Sequence, residues 1–285
     1  MAGNEKQFKS AFDSLHALAY FAPEVDAALT GIGLRPGRMP YFAGRSAAMG
    51  PVGPEVVAAT FYNFNPEVVA RVIPRAWTLA TPEQVLEARL DGVDKVLTRL
   101  LGDDTLKSEE VTEAAELARE AAAGCTGEGR ALYAAHAGLP WPEQPHLALW
   151  HALMLVREYR GDGHIAALVL NGLSGVEAVV THVATGGGFT TAAAKLTRGW
   201  SDEQWAAAEA GLTDRGILDA EGALTEAGVA LRDRIEVATE AAATGPWDHL
   251  GPEKTARLEQ LCRGLTRQVV AAGAFPDGVF AQRRP

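Results

Sequence analysis

Residues 196–235 read LTRGWSDEQWAAAEAGLTDRGILDAEGALTEAGVALRDRI, and this stretch decides the fold. Ser201, followed three residues later by Gln204, is a capping box that opens a helix by exchanging side-chain and backbone hydrogen bonds. Gly199 closes a short helix just upstream, because glycine takes the left-handed conformation at a helix end without steric cost. The second helix ends at Gly216. ILDAEGAL (217–224) then alternates around a turn and predicts a small β-hairpin, after which Thr225 starts a long helix. The order is short helix, turn, helix, hairpin, long helix.

Helical patterns also fill the rest of the chain. Ser174 and Glu177 form a capping box that opens the helix before the turn. Thr81, Pro82 and Gln84 open the clearest helix, with Leu86, Leu90, Val93, Leu97 and Leu100 as its expected buried stripe and Gly102 at its end. Segments 8–33 (interrupted at Pro23), 108–124, 129–139, 146–161 and 162–173 read as further helices, and 54–77 as two short ones opened in part by Asn65-Pro66. LRPGRMPYFAGRSAAMGPVGP (34–54) is rich in Pro and Gly and reads as a long loop, a type that is uncommon in compact domains and often functional. ATGGGF (184–189) lacks the Lys and preceding strand of a phosphate loop and reads as a flexible connection. The expectation is a mainly α chain with a helical N-terminal domain over 1–140 and a winged-helix-like domain over 141–285, the Pro-rich corner LPWPEQP lying at the join.

The stretch 196–235 resembles the core of the MarR-type winged-helix family. Gly199 matches the turn of the helix-turn-helix. Asp214–Leu218 matches the exit of the recognition helix into the wing, and Leu224–Gly228 the strand-to-helix exit. The resemblance covers roughly 70 of the 285 residues. It implies a recognition helix that enters the DNA major groove with polar and basic side chains at its start. The whole chain also resembles an actinobacterial group of winged-helix-containing proteins, through the words YFAGR (41–45), FYNFNP (61–66) and RGDGH (160–164); that resemblance implies no particular activity.

Charge runs against DNA reading. The chain carries a net −10 with a pI near 5.2, and both nucleic acid and anionic membranes require a positive face. Residues 161–245 hold twelve Asp/Glu against five Lys/Arg, a local net of −7. The expected reading helix carries Asp202, Glu203 and Glu209 and no cation before Arg215, and the wing carries Asp219 and Glu221. Phosphate contacts supply most DNA affinity, so an acidic head would be repelled. The expected partner is therefore a small-molecule ligand, with no nucleic acid and no membrane; the alternative is a MarR-like, ligand-responsive transcriptional regulator. The long helices flanking the winged helix suit either a homodimer or packing on the N-terminal half. The start of the chain lacks a basic segment followed by an apolar one, and no window approaches 18 uninterrupted apolar residues, so a cytoplasmic protein is expected. Cys125 and Cys262 form no CxxC and read as free thiols.

Two segments concentrate polar groups. In REYRGDGH (157–164), Gly161 reads as a helix end, Asp162 as the cap of a following helix and His164 as a neutral first-turn residue; the same residues also suit a pocket in which Arg157, Arg160 and His164 hold a polar ligand. In the 34–54 loop, Arg45 lies near Tyr41 and Phe42, with Tyr62 and Asn63 in the aromatic segment behind, which suits either a small-molecule pocket or an aromatic anchor with Arg45 stacked on it. Arg45, Tyr62, Asn63, Arg157, Arg160 and His164 are thus the candidate ligand contacts, placed around one pocket shared by the two halves. His151, Glu158, Glu177 and His182 lack metal-ligand spacing, and no motif names a cofactor or a catalytic residue, so whether the protein is an enzyme or a binder (for example a self-resistance binder of specialised metabolism) stays open.

Overall fold

The computed structural model describes residues 12–275, so the start of the first expected helix, residues 8–11, lies outside the described residues. The chain is mainly helical. In order come α1 (12–17, running into a 3-10 turn at Leu18–Tyr20), α2 (Pro23–Gly31), α3 (Arg38–Ser46), α4 (Pro54–Phe61), α5 (Pro66–Ala70), α6 (Ile73–Leu79), α7 (Pro82–Leu106) and α8 (Glu109–Ala122). They are followed by α9 (Ala131–Ala137), α10 (Pro145–Leu170), α11 (Gly175–Ala184), α12 (Thr191–Arg198), α13 (Asp202–Asp214), α14 (Glu226–Ala241), α15 (Gly245–Leu250) and α16 (Pro252–Ala271). Among the described residues the expected hairpin reduces to one antiparallel bridge, Leu218 to Leu224, closed by an Asp219 amide that donates to Ala223 O at 2.9 Å.

The capping signatures fixed the helix starts. Thr81, Ser174 and Ser201 each accept from the backbone amide three residues on, and Gln84, Glu177 and Gln204 reach back to complete the boxes. Asn65 and Thr225 cap α5 and α14. Gly199 sits at φ 77, ψ 24 and ends α12 as expected, and Gly102 breaks α7 at φ 76.

Three expectations about elements are corrected. The stretch 34–54 is not a loop throughout: Met39, Phe42, Ala43 and Ser46 are buried at helical spacing, and burying that stripe makes α3. The stripe of α7 buries Val93, Leu97 and Leu100 as expected, but its first turns bury Val85 and Arg89 in place of Leu86 and Leu90, which are only half-buried. REYRGDGH contains no helix end, since α10 passes through Gly161, Asp162 and Gly163 without a break. Asp162 does cap a helix, but a different one: its Oδ2 accepts from the amides of Leu132 and Tyr133, at 3.1 and 3.0 Å, at the start of α9. Arg157, Arg160 and His164 therefore sit mid-helix, and His164 is not in a first turn. Replacing Asp162 with Ala is expected to cost about 1–2 kcal/mol through the lost cap, measurable as a lower urea midpoint with an unchanged slope.

The chain divides into two compact units. Of the described residues, the first holds 12–52, 75–162 and 243–275, and the second holds 53–74 and 163–242. The 140/141 division drawn from sequence falls inside the first unit. In that unit α2 lies along α7, and α8 packs against α15 and α16. The α2–α7 approach depends on Gly92, where a Cβ would stand 2.6 Å from the Val25 Cα. In the second unit Trp205, Leu212, Ile217, Leu218, Leu231 and Ile235 bury the helix-turn-helix against Leu168, Leu173 and Val180.

Candidate functional sites

The first unit holds a buried ionic cluster built by α3, α7, α9 and α10. Arg45 Nη2 donates to both carboxylate oxygens of Glu158 at 2.8 Å, and Arg157 Nη1 stands 3.6 Å from Oε1. The Arg45 guanidinium also lies 5.7 Å from the ring centres of Tyr20 and Tyr41. Its positive neighbours overcome the cost of burial and hold the Glu158 carboxyl down to about 2. Arg89 is 5% exposed and donates to Gly44 O at 3.0 Å and to the Met154 sulfur at 3.5 Å, with His136 Nε2 at 3.3 Å. It lies over the Trp150 ring at 4.9 Å. His16, fully buried, stacks on Trp150 at 5.5 Å. Burial, then the nearby arginines, pushes the His16 imidazole well below its usual value and the His136 imidazole to about 4.

A second site lies wholly within the second unit. A cavity of about 230 Å³ is walled by Leu168, Val179, Phe189 and Ala194, with Asn63, His164, His182 and Arg198 as its polar lining. The Thr239 hydroxyl donates to Ile235 O at 2.7 Å, so its 2.8 Å contact with His164 Nδ1 is one it accepts. That assigns the proton to Nδ1 and makes His164 Nε2 an acceptor in the neutral ring. Burial, with Arg232 beside it, lowers His182 and keeps it neutral near pH 7. Arg198 lies over Phe64 at 4.5 Å and Phe189 at 5.1 Å. ATGGGF thus ends in a residue that walls this cavity.

Of the six candidate contacts, Arg45 and Arg157 belong to the ionic cluster, and Asn63 and His164 to the cavity of the second unit. Arg160 is half-buried on α10 in the first unit. Tyr62 serves the framework of the second unit. Its hydroxyl donates to Leu173 O, and its carbonyl would lie 2.1 Å from a Cβ at Gly175, so only glycine starts α11 there. The segment 62–66 is a strap on the helix-turn-helix. Trp200 Nε1 donates to Asn63 O at 3.0 Å, and Asn65 Nδ2 donates to Gly199 O at 2.9 Å and to Gln204 Oε1 at 3.0 Å. Arg89 and His16 escaped notice as site-builders in the sequence. Arg89 left one signal, a cation four residues after Val85 and four before Val93 on the buried face.

No metal-binding group of three His, Cys, Asp or Glu occurs among the described residues, and no single helix there is long and apolar enough to cross a membrane. Cys125 and Cys262 are free; burial pushes the half-buried Cys125 thiol up to about 12.

The helix order and the strapped turn define a helix-turn-helix protein. A model of a helix-turn-helix family matches residues 5–276, and the chain belongs to that family. No curated protein and no solved structure matches it.

Proposed function

We propose that this chain is a small-molecule-binding protein on a MarR-like winged-helix scaffold whose reading head is not used on DNA. The observation that carries this is the outward face of α13. Asp202, Glu203, Ala206, Ala207, Ala210, Thr213 and Asp214 are exposed on it, and none is a cation. The neighbouring cations are engaged at home. Lys195 pairs with Asp202 at 2.8 Å, Arg215 with Glu177 at 2.9 Å, and Arg198 lies over Phe64 and over Phe189, a wall of the cavity. A DNA reader needs such groups aimed at phosphates. The ligand seat in this reading is the cavity of the second unit: apolar walls, with His164, His182, Asn63 and Arg198 to orient a polar guest.

Native mass spectrometry of the full chain, purified without dialysis, tests the reading. It predicts a species heavier than the polypeptide by a small molecule, and loss of that species in Ala194→Leu, which fills the cavity. A bare polypeptide mass for the natural chain would count against it. A second reading, a ligand-responsive DNA-binding regulator, is favoured by the family match itself. It requires salt-sensitive duplex binding.

A further inference from the structure

The ionic cluster of the first unit contains a cation whose own partners include no anion. Arg89 is 5% exposed, and a guanidinium stays protonated in any protein environment. Its partners are a carbonyl, an imidazole and a thioether, all neutral. The buried carboxylate of the cluster, Glu158, has both oxygens bonded to Arg45, with Arg157 also against it. A buried charge without a counter-charge is costly, and natural proteins pair it or place it against a ligand. Close by, His16 Nδ1 is buried without a hydrogen-bond partner. Arg89 does not point into solid protein. With Arg45, Tyr20 and Tyr41 it lines a cavity of about 80 Å³ whose other walls include Ala22 and Leu29.

From this we infer that the first unit carries an anion site, in which Arg89 receives the carboxylate of a small monocarboxylic acid. The planar guanidinium fork matches a carboxylate. The cavity volume corresponds to about three water molecules, the size of a two- to four-carbon acid, and its Ala and Leu walls suit an alkyl tail. Asp26, exposed and also lining the cavity, disfavours a second negative charge and so selects a monoanion over a phosphate dianion. This site is separate from the cavity of the second unit and does not depend on the ligand reading given for it.

Thermal unfolding of the full chain in sodium chloride, acetate, propionate or phosphate at matched ionic strength and pH 7.5 tests the inference. Propionate and acetate are expected to raise Tm saturably above the chloride value, by about 5 °C at a hundredfold excess over Kd, with phosphate near chloride. Arg89→Gln removes the receiving group and is expected to abolish the rise. Where that variant fails to fold, Ala22→Leu decides, since it fills the cavity and leaves every charge in place. A carboxylate response no larger than that of chloride, a response that survives in Ala22→Leu, or a larger response to phosphate would each overturn the inference.

Discussion

Replacing Glu158 with Gln is expected to destabilise the first unit by about 3–5 kcal/mol, the cost of removing one partner from a buried ion pair. The side chain is 4% exposed and takes both Arg45 bonds at 2.8 Å. Glutamine keeps the shape but offers one acceptor and no charge, and it leaves the arginines of the cluster facing each other. Urea unfolding followed by far-UV circular dichroism would read the loss. A double variant, Arg45→Met with Glu158→Met, is expected to lose less than Glu158→Gln alone, because it removes both charges and keeps apolar volume. A single-variant loss below about 1 kcal/mol, the range of a solvent-screened pair, would show that the cluster is not the buried device described.

The second large effect is acid lability. His136 and His151 are held to about 4, in each case chiefly by burial and next by Arg89, and His16 is lowered well below its usual value by burial and next by Arg157. In the unfolded chain each histidine takes up its proton near pH 6.5, whereas the native protein resists until much lower pH. Protons therefore bind the unfolded state preferentially between about 6.5 and 4, and stability falls as pH drops through that window. Each of the two histidines held near 4 contributes up to about 3 kcal/mol of this loss. Glu158, depressed to about 2, extends the decline below the ordinary carboxylate range: its contribution is present above that range and is lost as pH falls towards 2. Asp162, raised chiefly by burial, acts in the opposite direction. Denaturation midpoints at half-unit pH steps from 7.5 to 4 should fall steadily. A flat profile over that range would contradict the buried, neutral histidines.

Helix starts were legible because a cap is a local contract between residues three apart. Thr81 with Gln84, Ser174 with Glu177 and Ser201 with Gln204 needed no tertiary information. What was not legible was decided by distant packing. Gly161, Asp162 and Gly163 look like punctuation, and glycine costs about 1 kcal/mol in a helix interior. Burial of Tyr159, Asp162, Ala167 and Leu168 carries α10 through them regardless. Asp162 finds its amides 30 residues back in the chain. Arg45 was recognisable as a cation among aromatic residues, but its carboxylate lies 113 residues away. FYNFNP was visible as an aromatic word, yet its role as a strap on the turn at Gly199 required the fold.

Fluorescence anisotropy of labelled duplexes, tiled across the DNA upstream of the protein's own coding sequence and titrated at low salt, tests the central claim most directly. An acidic α13 face predicts no saturable binding on any duplex up to about 1 µM protein, a concentration at which phosphate-contacting readers bind under such conditions. Saturable binding that weakens linearly on a log–log plot against salt would contradict the account and restore the helix-turn-helix as a DNA reader.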